Sequence, residues 1–194
     1  MDGGSPLVRT ARMTLRLPDA GDRDEFIRAM SASEAHLRPW SPRLEGGAGN
    51  EAYFARTLER ARREWESGTG ARLIGFLHDG RMAGTFSLNN IVRGVFQNAD
   101  AGWSVMADCV GQGLATEGVS AMLGLAFRHE PLGLGLHRVQ ANVIPSNAPS
   151  LRVARRCGFR EEGLARAMLR IDGRWQDHVM FAKLAEEHLE PQGV

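Results

Sequence analysis

The run Gly111-Gln112-Gly113-Leu114-Ala115-Thr116-Glu117 is where this chain could do chemistry with its backbone. Ala101, Trp103 and Val105 alternate as in a strand, which passes through Met106 into this small-residue turn. Val119, Met122, Leu123 and Ala126 then mark the apolar stripe of a helix. The first amides of a helix have no intrahelical acceptor, and the helix dipole adds partial positive charge there. Gly111, Gly113 and Ala115 remove side-chain bulk, so a phosphate could approach the main chain there. No Lys-Ser/Thr pair follows, so this is not a P-loop, and the full dinucleotide fingerprint is missing. Taken alone, the pattern equally suits a tight strand-to-helix turn without a ligand.

A second constellation follows. Val139, Ala141 and Val143 point one way along a strand that Pro145 ends. Asn147 caps a short helix closed by Gly158, and Ser150, three residues on, puts a hydroxyl at its opening turn. Arg152, Arg155 and Arg156 add guanidiniums suited to a phosphate, or to an ordinary solvated face. His137 and His178 sit in strand patterns and read first as hydrogen-bonded structural residues.

The elements that must position these groups are legible in order. Met13 to Leu17 alternates as a strand, and a helix starts near Asp22 or Arg23 with Phe26, Ile27 and Met30 at helical spacing. Leu37 to Gly49, with two prolines and three glycines, reads as the longest loop. Asn50 caps a helix carrying Tyr53, Phe54, Leu58, Ala61 and Trp65. Arg72–Leu77 and Met82–Leu88 flank a turn at Asp79-Gly80, and Leu164–Ile171 and Arg174–Leu184 flank Asp172-Gly173. The order β-α-α-β-β-β-α-β-α-β-β lacks the alternation of a doubly wound sheet. It predicts an α/β fold: a central, mixed, mostly antiparallel sheet with helices on both faces.

The 194 residues suit one domain, its core over about 10–187, able to bury roughly 70% of the unfolded surface. Hydrophobic content of 43% and charged content of 24% are ordinary for a globular chain. The formal charge of +1 gives no reason to expect nucleic acid or an anionic membrane as partner. The opening MDGGSPLVRT lacks the apolar stretch of a signal peptide, and no run is long enough to span a membrane. Cys109 and Cys157 lack metal-like spacing and are expected as buried thiols in a reducing cytoplasm.

With these residues in view, the chain resembles the GNAT acetyltransferase superfamily, and within it the RimJ/RimL branch of protein N-terminal acetyltransferases. The matching stretches are Gly111 to Glu117, Leu136-His137-Arg138 through Pro145 and Asn147-x-x-Ser150 to Gly158-Phe159, and Glu162-Gly163. The hairpin from Leu169 to Val179 and the upstream His36-Leu37-Arg38-Pro39-Trp40 also match, so the likeness covers nearly the whole chain. It implies two parallel central strands that splay apart around acetyl-CoA, as cosubstrate, with no metal. The pyrophosphate would rest on amides from Val110 to Thr116, that is, on Val110, Gly111, Gln112, Gly113, Leu114, Ala115 and Thr116. The pantetheine would pair with the strand end at Val105 and Met106, and Asn147, Ser150 and Arg155 would complete the cofactor side. Val110 stands where the superfamily pattern usually has Gln or Arg.

Moving acetyl from a thioester to an amine needs a neutral amine, a stabilised oxyanion and a tolerated thiolate. A thiol pKa near about 8.5 makes leaving-group help modest; an α-amine near about 7.8 is about a tenth neutral at pH 7, a lysine far less. The resemblance puts Asp100 where relatives often carry an acid near the amine, acting directly or through water, and Ser150 where a proton donor to the thiolate is proposed. Trp40 and Asn142 are the substrate-side candidates. A glutamate assigned as base in the RimL-like pattern aligns with Leu169, so that role does not carry over, and the only tyrosine, Tyr53, is far upstream. The resemblance thus implies a cytoplasmic enzyme, monomer or homodimer, acetylating the N-terminus of a protein, possibly ribosomal, by direct transfer. A small-molecule amine acetyltransferase and a non-catalytic acetyl-CoA-binding protein are the alternatives.

Overall fold

In the computed structural model, which describes residues 7–42, 46–47 and 49–189, eight strands form one sheet in the order β1-β2-β3-β4-β5-β6-β8-β7. The strands are β1 (Val8–Arg9), β2 (Met13–Arg16), β3 (Ala71–Leu77), β4 (Met82–Val92), β5 (Asn98–Val105), β6 (Arg138–Val143), β7 (Arg160–Ile171) and β8 (Arg174–Leu184). The helices are α1 (Arg23–Leu37), α2 (Glu51–Glu66), α3 (Leu114–Phe127), α4 (Ala148–Arg156) and α5 (Ala185–Leu189). All neighbours are antiparallel except β5 and β6. The expected mixed sheet is the one observed.

That one parallel pair ends early. Asn98 to Ala101 face Arg138 to Ala141, and pairing stops there although β5 runs on to Val105 and β6 to Val143. Beyond Ala101 the β5 strand keeps its antiparallel partner β4, up to Gly84 opposite Val105. One edge of its last turn of strand is therefore left without a neighbour.

The sheet's two faces carry different helices. Phe86, Trp103, Val139 and Ala141 lie on the face covered by α3 and α4, whereas Thr85, Ser87, Gly102 and Ser104 lie on the face of α1 and α2. Gly118 of α3 sits so close to the sheet that a Cβ there would come within 2.1 Å of Phe86 Cζ. Ring and stripe are fully buried: Phe86, Val119, Met122, Leu123 and Ala126 are all at 0% exposure. This contact fixes the height at which α3 starts.

Several expectations shift at the margins. A two-residue β1 precedes the first expected strand, α5 follows the last, and β7 begins at Arg160 rather than Leu164. Two irregularities in the β7–β8 register, near Gly163 and between Ala165 and Leu169, blur the alternation that would have shown that start. The expected loop from Leu37 begins only at Ser41, because Arg38–Trp40 form a 3-10 turn with Pro39 at its opening, where its missing N–H does no harm. Part of that loop (43–45 and 48) and the first six residues lie outside the described residues. Among the described residues no helix is long and apolar enough to cross a membrane.

Gly118→Ala should lower stability by about 1–3 kcal/mol through overpacking against Phe86, although alanine is the better helix former by up to about 1 kcal/mol. Chemical denaturation measures the balance; a stabilised variant would show that α3 does not depend on this contact.

Candidate active site

The turn between β5 and α3 holds the backbone in a shape that few side chains allow. Gly111 and Gly113 have φ of +76° and +78°, and Gly113 is the N-cap of α3. Such left-handed conformations favour glycine. At Gly111 a Cβ would meet nothing within 4 Å, so the turn opens outward. Among the described residues, no amide from Val110 to Thr116 donates to a protein acceptor; the first amide of α3 to do so is Glu117, to Gly113 O at 3.1 Å. These are the N–H groups an anion would need, at the positive end of a helix dipole.

The free edge of β5 lies immediately upstream. Met106 N donates to Ala83 O of β4 at 2.9 Å. Backbone groups alternate along a strand, so Trp103 and Val105 turn their N–H and C=O toward the gap left by β6. Val105 keeps its expected place on that edge. Met106 does not: its amide is already bonded and its side chain is 0% exposed, so it is a core residue rather than a cofactor contact. The Trp103 ring lies 6.4 Å from Phe159, and its Nε1 is buried with no acceptor among the described residues. A buried donor without a partner is costly unless a ligand completes it.

α4 closes the other side. The Asn147 side chain accepts from Ser150 N at 3.1 Å, so the cap and the Ser150 hydroxyl share the first turn as the spacing implied. Cys157 donates to Thr116 O at 3.6 Å, tying the far end of α4 to the first turn of α3. Cys157 thus faces α3, and Arg155, roughly 200° around the helix, faces elsewhere. Its guanidinium pairs with Glu161 Oε2 at 3.1 Å and lies over the Phe181 ring, so in this arrangement it is not aimed at the amide turn. Burial pushes both thiols, Cys109 and Cys157, up to about 11. They are free and stay protonated at neutral pH.

A group that the sequence did not reveal braces the turn from the opposite end of the chain. Arg12, between β1 and β2, donates from Nη1 to Gln112 O at 2.7 Å and from Nε to Glu117 Oε2 at 2.6 Å. Thr10 Oγ1 and Arg12 N both donate to Glu117 Oε1, at 2.5 and 2.9 Å. Burial would raise the Glu117 pKa, but the hydrogen bonds from Thr10 and Arg12 outweigh it and hold it below the usual range. The guanidinium lies 3.6 Å from where a Cβ of Gly113 would stand, bringing positive charge beside the turn.

On the α1–α2 face a cavity of about 720 Å³ reaches Thr85, Ser87 and Ser104, with Phe26, Tyr53 and Thr57 among its helical walls. Tyr53, remote in sequence, is therefore part of the site region. Thr85 Oγ1 and Ser104 Oγ are hydrogen-bonded at 2.7 Å on its floor. Asp100 lies on the same face two residues before the gap, opposite Gln140, and accepts from Asn90 Nδ2 at 2.9 Å. It is not in the cavity lining. Asn142, the first β6 residue past the pairing, accepts from Gln140 Nε2 at 3.3 Å and shares that face. Trp40 is 37% exposed and stands outside the lining, because positions three apart eclipse in a 3-10 turn and Arg38 and Ser41 are presented instead. His178 is 2% exposed with Nδ1 at 3.0 Å from Gln176 O, while His137 is exposed.

A parallel pair that parts, bare amides at a helix start and a cavity on the opposite face of the sheet together form the candidate site. Residues 12–160 match the family model for the acetyltransferase (GNAT) domain. The chain is 32% identical over 181 residues to the [ribosomal protein uS5]-alanine N-acetyltransferase of Escherichia coli, covering 91% of each. It is 42% identical over 106 residues to "Probable N-acetyltransferase YjcK" of Bacillus subtilis, covering 55% of this chain and 56% of that one. The solved structure of Mycobacterium smegmatis RimJ in complex with CoA-disulfide superposes with a TM-score of 0.84 at 31% identity, covering 92% of this chain and 84% of that one. The chain belongs to the GNAT acetyltransferase family and is an acetyl-CoA-dependent N-acetyltransferase.

Glu117→Gln should weaken CoA binding about tenfold and cost about 1–3 kcal/mol of stability, by loosening charge-assisted hydrogen bonds that shape the turn. Calorimetry with CoA reads the first effect. Unchanged affinity would show that the turn keeps its shape without the Arg12 brace.

Proposed function

We propose that the acceptor is the N-terminal α-amine of a protein, a ribosomal protein being the leading candidate, and that acetyl passes to it directly. The reading is carried by similarity along nine-tenths of both chains to an enzyme named for a ribosomal-protein alanine. The site's chemistry supports it, because the cavity is poor in bases. Among its described lining residues the only carboxylates are Glu34 and Asp172, and Asp172 is engaged by Arg38 at 3.4 Å. An α-amine, with its pKa near about 7.8, needs the least help in losing a proton.

In this reading the amides of Val110, Gly111, Gln112, Gly113, Leu114, Ala115 and Thr116 hold the pyrophosphate, and Asn147 helps set the α4 side of the channel. The free edge at Trp103 and Val105 pairs with the pantetheine arm, with the Trp103 indole N–H as a further donor. A Val105 N–H turned to the gap also suits the oxyanion that forms at the thioester carbonyl. Ser150 returns a proton to the departing thiolate. Asp100 takes the amine proton through water, since it lies outside the cavity, and Asn142 orients the acceptor. Cys109 is buried and Cys157 half-buried, and both thiols are pushed up and protonated, which disfavours an acyl-cysteine intermediate and supports direct transfer.

The test is to incubate the protein with acetyl-CoA and peptides beginning with Ala or Ser and to follow free thiol. Turnover should rise with pH through the α-amine range, and Ser150→Ala should lower kcat roughly tenfold, less than the about 100-fold or more usual for a general acid, because a thiolate with a pKa near about 8.5 leaves with little help. No turnover across such a library, beside turnover of polyamines or aminoglycosides, would reject the peptide reading.

A further inference from the structure

The cavity that receives the acceptor is lined by Arg38, Arg56, Arg60 and Arg72 against the carboxylates of Glu34 and Asp172. Their pairing leaves positive charge over. Arg38 and Asp172 face one another at 3.4 Å. Glu64 serves two guanidiniums at once, Arg60 Nε at 2.6 Å and Arg72 Nε at 2.7 Å. Arg56 has no ion-pair partner among the described residues. Arg56 and Arg60 lie one turn apart on α2, on the side of Tyr53 and Thr57, which also line the cavity.

The register of the sheet locates this charge relative to the chemistry. Arg72 stands directly opposite Ser87, and Ser87 directly opposite Gly102, the first β5 residue past the parting. Two strand spacings put Arg72 about 10 Å from the gap. An extended peptide advances about 3.3–3.6 Å per residue. An amine seated at the gap therefore carries its third or fourth residue to the arginines.

We propose, resting on the peptide reading above, that the cavity selects acidic N-termini: a terminal amine followed at the third or fourth residue by a carboxylate that Arg56, Arg60 and Arg72 receive. A polycationic amine meets the same row as repulsion. Charge placed this way sets specificity more than raw affinity, because a like-charged acceptor is penalised.

The experiment compares kcat/KM for three peptides that share Ala at the first position and carry Glu, Gln or Lys at the third and fourth. The Glu peptide should exceed the Lys peptide by about tenfold or more, with the gap narrowing at high salt. Arg56→Glu, and separately Arg60→Glu, should bring the Glu-to-Lys ratio close to one; a ratio does not depend on how much of a variant is folded. Equal rates on the three peptides, a preference for Lys, or a ratio indifferent to both variants overturns the proposal while leaving the peptide reading intact. Absence of turnover on every peptide removes that reading, and the proposal with it.

Discussion

The parting of β5 from β6 after Ala101 and Ala141 is the constraint from which the site follows. A strand inside a sheet spends its amides and carbonyls on two neighbours; β5 has two neighbours for its first half and one for its second. That leaves main-chain donors and acceptors at Trp103 and Val105 for something else to satisfy. The same strand then runs through Met106 into the glycine turn, so the free edge and the free amides of α3 are consecutive along the chain. One end of an extended ligand can lie on the first while its phosphates lie on the second.

Free backbone groups keep a useful shape only if their surroundings hold them. Gly118 against Phe86 sets α3 on the sheet from within, and Arg12, Thr10 and Glu117 brace the turn from outside. The Cys157 contact to Thr116 O joins α4 to the same turn. These restraints come from well-separated parts of the chain, from Thr10 and Arg12 through Phe86 and Gly118 to Cys157.

Much of this was legible in the residues because it is local. A glycine with positive φ before an apolar helical stripe, an Asn cap three residues before a hydroxyl, and Asp172-Gly173 between two long strands each declare themselves within a few positions. What escaped is non-local. The Thr10–Glu117 contact bridges 107 positions, and Tyr53 reaches the cavity on the α1–α2 face through the packing of α2 on β3. Met106 and Arg155 looked like ligand contacts in sequence, yet an amide bonded to Ala83 and a guanidinium bonded to Glu161 are facts of register and helix phase. Trp40 likewise stands outside the cavity lining, since which residue of a 3-10 turn meets a cavity depends on where that turn docks.

Amide hydrogen exchange with and without acetyl-CoA tests the central claim most directly, because it reads the backbone groups themselves. Saturating cofactor should slow exchange across Val110 to Thr116 and at Trp103 and Val105, while Met106, already bonded to Ala83, stays slow in both states. Cofactor that binds yet leaves exchange across 110–116 untouched would contradict the account.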